Sequence, residues 1–457
     1  MKRGQLDKII MGLLLAAVVF TAWARGATEA WSIAVFEAVI LAALVLWILK
    51  LAVEKKVDLI VPASFWPIAA FLCYGVIQTV GWADAAGNPA SLSMDREATK
   101  RLLPLLLFII AAHIVAANVL KDTARVGFFA KFLTAFGFIL ALASLIQYFA
   151  GDDIGIFWFG KPVVLSQWLH GPFLNHNHFS GYMELIIPIP FAFAFIGVRE
   201  TRAIYGFAAV IMTIAAMFTV SRGGMVSIAA SVLFVIVFAS LFSLRYRNRF
   251  IDIDPDASYI GAIAGRHWVR NLVATILILG SIVAGVAWLG VEPILNRLPD
   301  AGLAGLGDNQ ETFESSRGWI WKNTIVIFQD NSLYGTGMGT FENILPKYAN
   351  SSAPDSTGKL FVWNKAHNDY LQILAETGLI GGTLALWFLV TIFIAIWRSL
   401  FLRDRFKATL AIGCNSAIFA LLVHSVFDYN LQIPSTALLF LILTAVSANL
   451  TSSRKTG

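Results

Sequence analysis

The run TGLIGGTLALWFLVTIFIAIW, residues 377–397, lies between Glu376 and Arg398 and contains no charge. Wound as an α-helix it is about 30 Å long, enough to cross the hydrocarbon core of a bilayer. A helix satisfies its own backbone groups where no water can, which is why apolar stretches of this length read as membrane spans. Working outward from this run, similar stretches recur along the chain. The apolar pattern predicts about twelve transmembrane helices, at 8–24, 31–53, 59–82, 102–120, 127–150, 178–198, 203–220, 224–244, 271–290, 369–397, 407–427 and 432–450. Composition agrees, because 58% of the 457 residues are hydrophobic and only 14% are charged, against about 25% charged in soluble domains. The expectation is an all-α integral membrane protein forming one polytopic membrane domain over residues 1–457. The first apolar segment follows Met1-Lys2-Arg3 as a signal peptide would, but no small-residue cleavage site ends it cleanly, so it reads as the first helix.

The formal net charge of +6 could suggest a nucleic-acid partner, but the positions of the basic residues point elsewhere. With the N-terminus in the cytoplasm, most Lys and Arg fall in inside connections, among them Lys50, Lys55, Lys56, Arg125, Arg245, Arg247, Arg398 and Arg405. The positive-inside rule therefore predicts both termini in the cytoplasm, and topology explains the charge without nucleic acid. Cys73 and Cys414 sit in apolar runs and form no disulfide or metal-ligand spacing.

In this orientation two long connections face outward, Gly151 to Asn177 and about Val291 to Lys365. The second, taken as 291–368, is inserted between the ninth and tenth helices. Loops of this size usually have a function. Within it, Arg317 to Gln329 is expected to be helical, with Trp321, Ile325 and Phe328 at i, i+4 and i+7 as its apolar stripe. That helix can lie on the membrane surface, roof a cavity or pack within the loop.

Four clusters on the outward side carry candidate chemistry. Ser221-Arg222-Gly223-Gly224 places a guanidinium between two spans, against the positive-inside trend. Arg binds phosphate oxygens through paired hydrogen bonds, and the glycines allow close backbone approach at a helix start whose free amides favour an anion. An interfacial Arg that snorkels to headgroups is the plain alternative. Arg317 opens the loop helix as a second cation, or as a surface Arg paired with Glu314. His367, in Ala366-His367-Asn368-Asp369-Tyr370, stands just before a span, where an imidazole can accept a proton from a hydroxyl. In Asn175-His176-Asn177-His178, two His at i and i+2 lack further ligands for a metal. Hydrogen bonding to sugar hydroxyls or helix capping is the expected use. Ser221, Asn175, His176, Asn177, His178, Asn368, Asp369 and Tyr370 are the expected substrate-binding residues.

Two motifs are decoys. Asp252, Asp254 and Asp256 resemble a metal-holding acidic triplet but lie in a basic inside loop, where charge balance is the better reading. Gly335-Thr336-Gly337-Met338-Gly339 lacks the spacing and the preceding strand of a dinucleotide fingerprint and reads as a tight turn between two loop helices.

With these stretches in place, the chain resembles the O-antigen ligase and polymerase superfamily of bacterial envelope glycosyltransferases. The likeness rests on the run from Asn175 to Tyr182, on Ser221-Arg222-Gly223-Gly224, and on the long loop. In the loop it follows Arg317 to Trp321, Leu333 to Gly337, His367-Asn368-Asp369-Tyr370-Leu371-Gln372 and Glu376-Thr377-Gly378. It covers roughly residues 150 to 385.

The resemblance implies a GT-C-like fold in the bacterial inner membrane with a periplasmic catalytic loop. It also implies transfer of a glycan from undecaprenyl diphosphate to an acceptor, with no cofactor, no metal and no nucleotide sugar. The acceptor is a lipid A core sugar in ligases, another repeat unit in polymerases, or a protein hydroxyl in O-oligosaccharyltransferases. By position, Arg222 and Arg317 would neutralise the diphosphate and His367 would activate or orient the acceptor hydroxyl. The reading from a different class is a transporter of the same lipid carrier, which intramembrane charge along a pathway would favour.

Overall fold

The computed structural model describes residues 3–54, 59–83, 89–151, 168–251, 317–348 and 363–452. The span expected at 271–290 and the Asp252, Asp254 and Asp256 triplet lie outside these residues. The protein is an all-α integral membrane protein. Nine helical segments among the described residues are long and apolar enough to cross a bilayer, one of them made of two consecutive helices, and two shorter apolar helices accompany them. Most of them fall on the apolar stretches expected from hydropathy. They are α1 (Arg3–Trp23), α2 (Ala30–Val53), α3 (Phe65–Gln78), α4 (Arg96–Val119), α5 (Thr123–Ala150), α6 (His176–Glu184), α7 (Pro188–Ile196), α8 (Arg202–Met217) and α9 (Arg222–Ile251). Two loop helices follow, α10 (Arg317–Asp330) and α11 (Phe341–Tyr348), and then α12 (Asp369–Ser399), α13 (Arg405–His424) and α14 (Pro434–Thr451).

Several elements depart from uniform spans, and each departure has a local cause. The segment read as one helix over 178–198 is two helices, α6 and α7, because Pro188 and Pro190 supply no N–H to the turn before them. Together they are the most enclosed of the nine spans, with the whole apolar window inside the protein. Polar Asn177, His178, Ser180 and Glu184 are buried with them, which is costly in a membrane bundle and marks a working region. By contrast α12 is largely exposed, as a helix facing lipid should be. It bends at Gly378 (φ 59°), a conformation that costs glycine little.

The third predicted span is the largest correction. It was read over 59–82, but α3 has only 14 residues, about 21 Å of helix, and stops well short of a full crossing. Gln78 at its end bonds the loop turn instead. Its Nε2 donates to the carbonyls of Tyr334 (3.0 Å) and Glu376 (3.1 Å), and its Oε1 accepts from the Met338 N–H (3.1 Å). Tyr74 adds a bond to the Tyr334 carbonyl at 2.7 Å.

Gly335 to Gly339 is the tight turn expected between two loop helices. It is seated on α12, where Thr336 N–H donates to the Ala375 carbonyl, Gly337 N–H donates to the Glu376 carbonyl, and the Glu376 carboxylate accepts from Gly339 and Phe341. A Cβ on Gly335 (φ 70°) would collide with the backbone of Glu376 and Thr377, so the close approach requires glycine there. The loop helix α10 forms where expected, but its core-facing stripe is Ile320, Thr324 and Ile327. The Trp321, Ile325 and Phe328 stripe is one position off, with Ile325 exposed. The cause is packing: α10 is flanked by both α11 and α12, and the two neighbours select its buried face.

Candidate active site

The turn between α13 and α14 carries Asp428, whose side chain is 1% exposed. Two hydrogen bonds to the His424 carbonyl, from the N–H groups of Phe427 and Asp428, close this turn. Three predicted site residues meet on its carboxylate. Nδ1 of His367 lies 3.0 Å from Oδ1, the Arg317 guanidinium lies 3.3 Å from Oδ2, and the Asn177 amide donates to Oδ2 at 2.7 Å. Burial by itself raises the Asp428 carboxyl, but the hydrogen bond from His367 and the charge of Arg317 outweigh it and hold the group well below the usual carboxylate range.

An ionised carboxylate only accepts hydrogen bonds, so Nδ1 of His367 carries a proton, and in the neutral ring the lone pair is then on Nε2. This assignment follows from the bonding network. It gives an imidazole oriented by a carboxylate, the arrangement of a general base held in its working tautomer. His367 also has φ 49°, in a region that few residues other than glycine occupy and that recurs at functional sites. Rings fix its plane: Trp363 and Tyr429 stand edge-on to it at 5.2 and 4.8 Å. Burial, aided by the charge of Asp428, pushes the Tyr429 hydroxyl up to about 12.

Arg317 keeps most of its donors in reserve, since one N–H reaches Asp428 while the side chain is 38% exposed. Arg222 heads α9 with an exposed side chain. Gly223, the next residue, is so close to the α13–α14 turn that a Cβ would stand 2.7 Å from the His424 ring and 3.0 Å from Cβ of Phe427. The Arg222 backbone is thus beside the turn that carries Asp428. Val220, just before it, has φ 52°, an outlier for a β-branched residue, so the entry into α9 is held in a strained form.

The other expected binding residues divide by task. Asn175 and Asn368 cap α6 and α12, accepting from the N–H groups of Asn177 and Leu371. Ser221 is buried and its Oγ accepts from the Gly224 N–H, so it caps α9. Asp369 accepts from Ser425 Oγ, from the Leu431 N–H and from Gln432 Nε2, and the Tyr370 hydroxyl donates to the Leu422 carbonyl at 2.7 Å. Asp369 thus ties α12 to the Asp428 turn, and Tyr370 ties it to α13. His176 Nδ1 pairs with the Thr219 carbonyl at 2.7 Å. His178 is buried edge-on to Tyr429 at 5.0 Å, with Nε2 unpartnered.

Sequence reading missed three members of the site. Asp428 is a single carboxylate between the last two apolar runs, on the side where His367 was expected, and that position was its only signal. Glu184 and His424 form a fully buried pair behind it, with Nδ1 of His424 3.0 Å from both Glu184 oxygens and Ser180 Oγ donating to Oε1 at 3.0 Å. An acidic residue inside a predicted span was a visible cue for the pair.

Flanked by Lys365 and Asp369, two positions either side of His367, a cavity of about 290 Å³ enters the bundle between α3, α4, α12 and α14. Its walls are apolar, including Phe71, Leu72, Leu105, Ile109 and Phe440, and its polar rim includes Lys365, Asp369, Gln372 and Glu376. An acidic centre braced by two basic side chains thus adjoins an apolar slot.

Residues 207–388, from within α8 to within α12, match the family model described as O-antigen ligase. This segment, less than half of the chain, is similar to O-antigen ligases. The matched segment takes in Arg222, Arg317 and His367, whereas Asn177 and Asp428 lie outside it and complete the site from α6 and the last turn. No curated protein matches the chain.

Proposed function

We propose that this protein is an inverting glycosyltransferase of the O-antigen ligase type. On this reading it moves a glycan from undecaprenyl diphosphate to an acceptor on the periplasmic face of the bacterial inner membrane. One observation carries the reading: His367 and Arg317, 50 positions apart in the chain, share the buried carboxylate of Asp428. His367 Nε2 accepts the acceptor hydroxyl proton as that oxygen attacks the anomeric carbon from the face opposite the diphosphate. The sugar–phosphate C–O bond breaks, its electron pair goes to the diphosphate, and the anomeric centre inverts. Arg317 and Arg222 neutralise the charge that grows on the phosphate oxygens, where fixed cations in a partly dry site do more than water. The apolar slot beside His367 takes hydrocarbon, as a lipid-linked substrate requires.

The test is transfer by purified protein with lipid-linked glycan as donor. Arg222→Ala and His367→Ala are expected to abolish transfer while the protein still inserts, and normal transfer by both variants overturns the assignment. Supplying lipid-linked repeat units alone separates polymerase from ligase, because only a polymerase extends them without another acceptor. The transporter reading requires flux across liposomes that survives loss of His367.

A further inference from the structure

At the end of α12 farthest from His367 is a second cavity of about 220 Å³, between the segment 60–64, the end of α12, α13 and α14. Arg398, near the far end of α12, lies 29 residues from Asp369, roughly 40 Å along the helix, while Asn415 lies deeper in the bundle, nine residues from His424 in α13. Ile60, Val61, Ile392, Ile394 and Ile418 make its walls apolar. Polar side chains line it too, most with their donors bonded within the protein, but two leave donors open. Arg398 lines the cavity with an exposed side chain, and among the described residues no carboxylate pairs with it.

Asn415 is the second group. It is completely buried, its Oδ1 accepts from Ser447 Oγ, and its Nδ2 has no hydrogen-bond partner. A buried amide without an acceptor is costly, so an unmet donor on a cavity wall points to a ligand oxygen. Both open groups are donors, and neither is an acceptor.

We propose that this cavity binds an anionic, phosphate-headed glycerolipid of the leaflet opposite the His367 site. Arg398 takes the phosphate, Asn415 Nδ2 donates to an oxygen of the ligand deeper in, and the apolar wall takes an acyl chain. Two features favour a lipid over free phosphate. Most of the wall is apolar, and the α12 surface beside the cavity faces the bilayer, with Phe393, Ile394 and Trp397 53%, 45% and 64% exposed. A guanidinium with buried amide support is also a fitting phosphate receptor. The inference is independent of glycosyl transfer, because its readout is binding.

The experiment follows the unfolding midpoint of the delipidated full chain in detergent as dioctanoyl phosphatidylglycerol is added. Parallel arms use dioctanoyl phosphatidylcholine and inorganic phosphate. The expected result is a saturable rise with phosphatidylglycerol and little change in the other arms. Arg398→Gln and Asn415→Asp should each raise the half-saturating concentration about tenfold, the loss of one charge-assisted contact. Unchanged half-saturation in Arg398→Gln overturns the proposal, as does an equal response to phosphatidylcholine or to phosphate. Should Asn415→Asp fail to fold, Arg398→Gln, at an exposed position, decides the matter alone.

Discussion

The Asp428 carboxylate lies 3.0 Å from Nδ1 of His367 although 61 positions separate the two residues. That contact joins the loop before α12 to the last turn of the bundle, and it sets which ring nitrogen of His367 is available to a substrate.

Asp428→Asn should therefore be nearly as damaging as loss of the imidazole. The amide can offer a donor where the carboxylate offered only acceptors, which releases the tautomer with Nε2 free. Transfer should fall by about 10²–10⁴-fold, mostly in kcat, with the protein still folded. Initial rates with a lipid-linked donor measure this, and a rate within threefold of the parent removes Asp428 from the mechanism.

The pH dependence of stability follows from the depressed Asp428 carboxyl. For a group lowered on folding, the stabilising contribution is complete above the unfolded value, about 3.9, and is lost as pH falls through the folded value. Asp428 thus adds no slope between pH 5 and 8. Melting midpoints of the parent and of Asp428→Asn should differ throughout that range, with the gap narrowing only below about pH 5. A gap that has closed by pH 6 means that the carboxyl is not held low.

Glu184 and His424 are expected to be positioning residues. His424 holds the Asp428 turn through its carbonyl and is itself gripped by Glu184. Glu184→Ala strands the imidazole in the core and should cost about 3–5 kcal/mol. Glu184→Gln keeps an acceptor and should recover much of this. Detergent melts of both variants give the comparison, and equal melting of the two would refute a specific pairing.

Gly378→Ala tests the seat of the loop. With φ 59° and a Cβ that would stand 2.7 Å from the Gly335 N, alanine must push the turn off α12, at a cost of about 1–3 kcal/mol. Limited proteolysis should then cut near residues 331–348 faster than in the parent, and transfer should fall with it as Arg317 loses its support. Parent-like proteolysis would show that the turn does not depend on this contact.

Much was legible in order along the chain. Helix positions followed broadly from apolar length, the loop turn from its glycines, and the candidate residues from polar groups at the ends of apolar runs, whereas the break at Pro188 within 178–198 went unread. Arg317, His367 and Asn177 were chosen on that basis, and the fold brings all three onto one carboxylate. Less legible was how each polar residue is used: Ser221, Asn175 and Asn368 carry side chains suited to either a ligand or a helix cap, and the local backbone takes them as caps.

The sequence by itself determined an all-helical membrane protein, because hydropathy and helix length are local properties that the bilayer reads directly. Only the tertiary structure decided that Asp428 is the hub, that α3 stops short to admit the glycine turn, and which face of α10 is buried. Those outcomes depend on contacts between residues far apart in the chain, and no local pattern encodes which distant group will satisfy a buried charge.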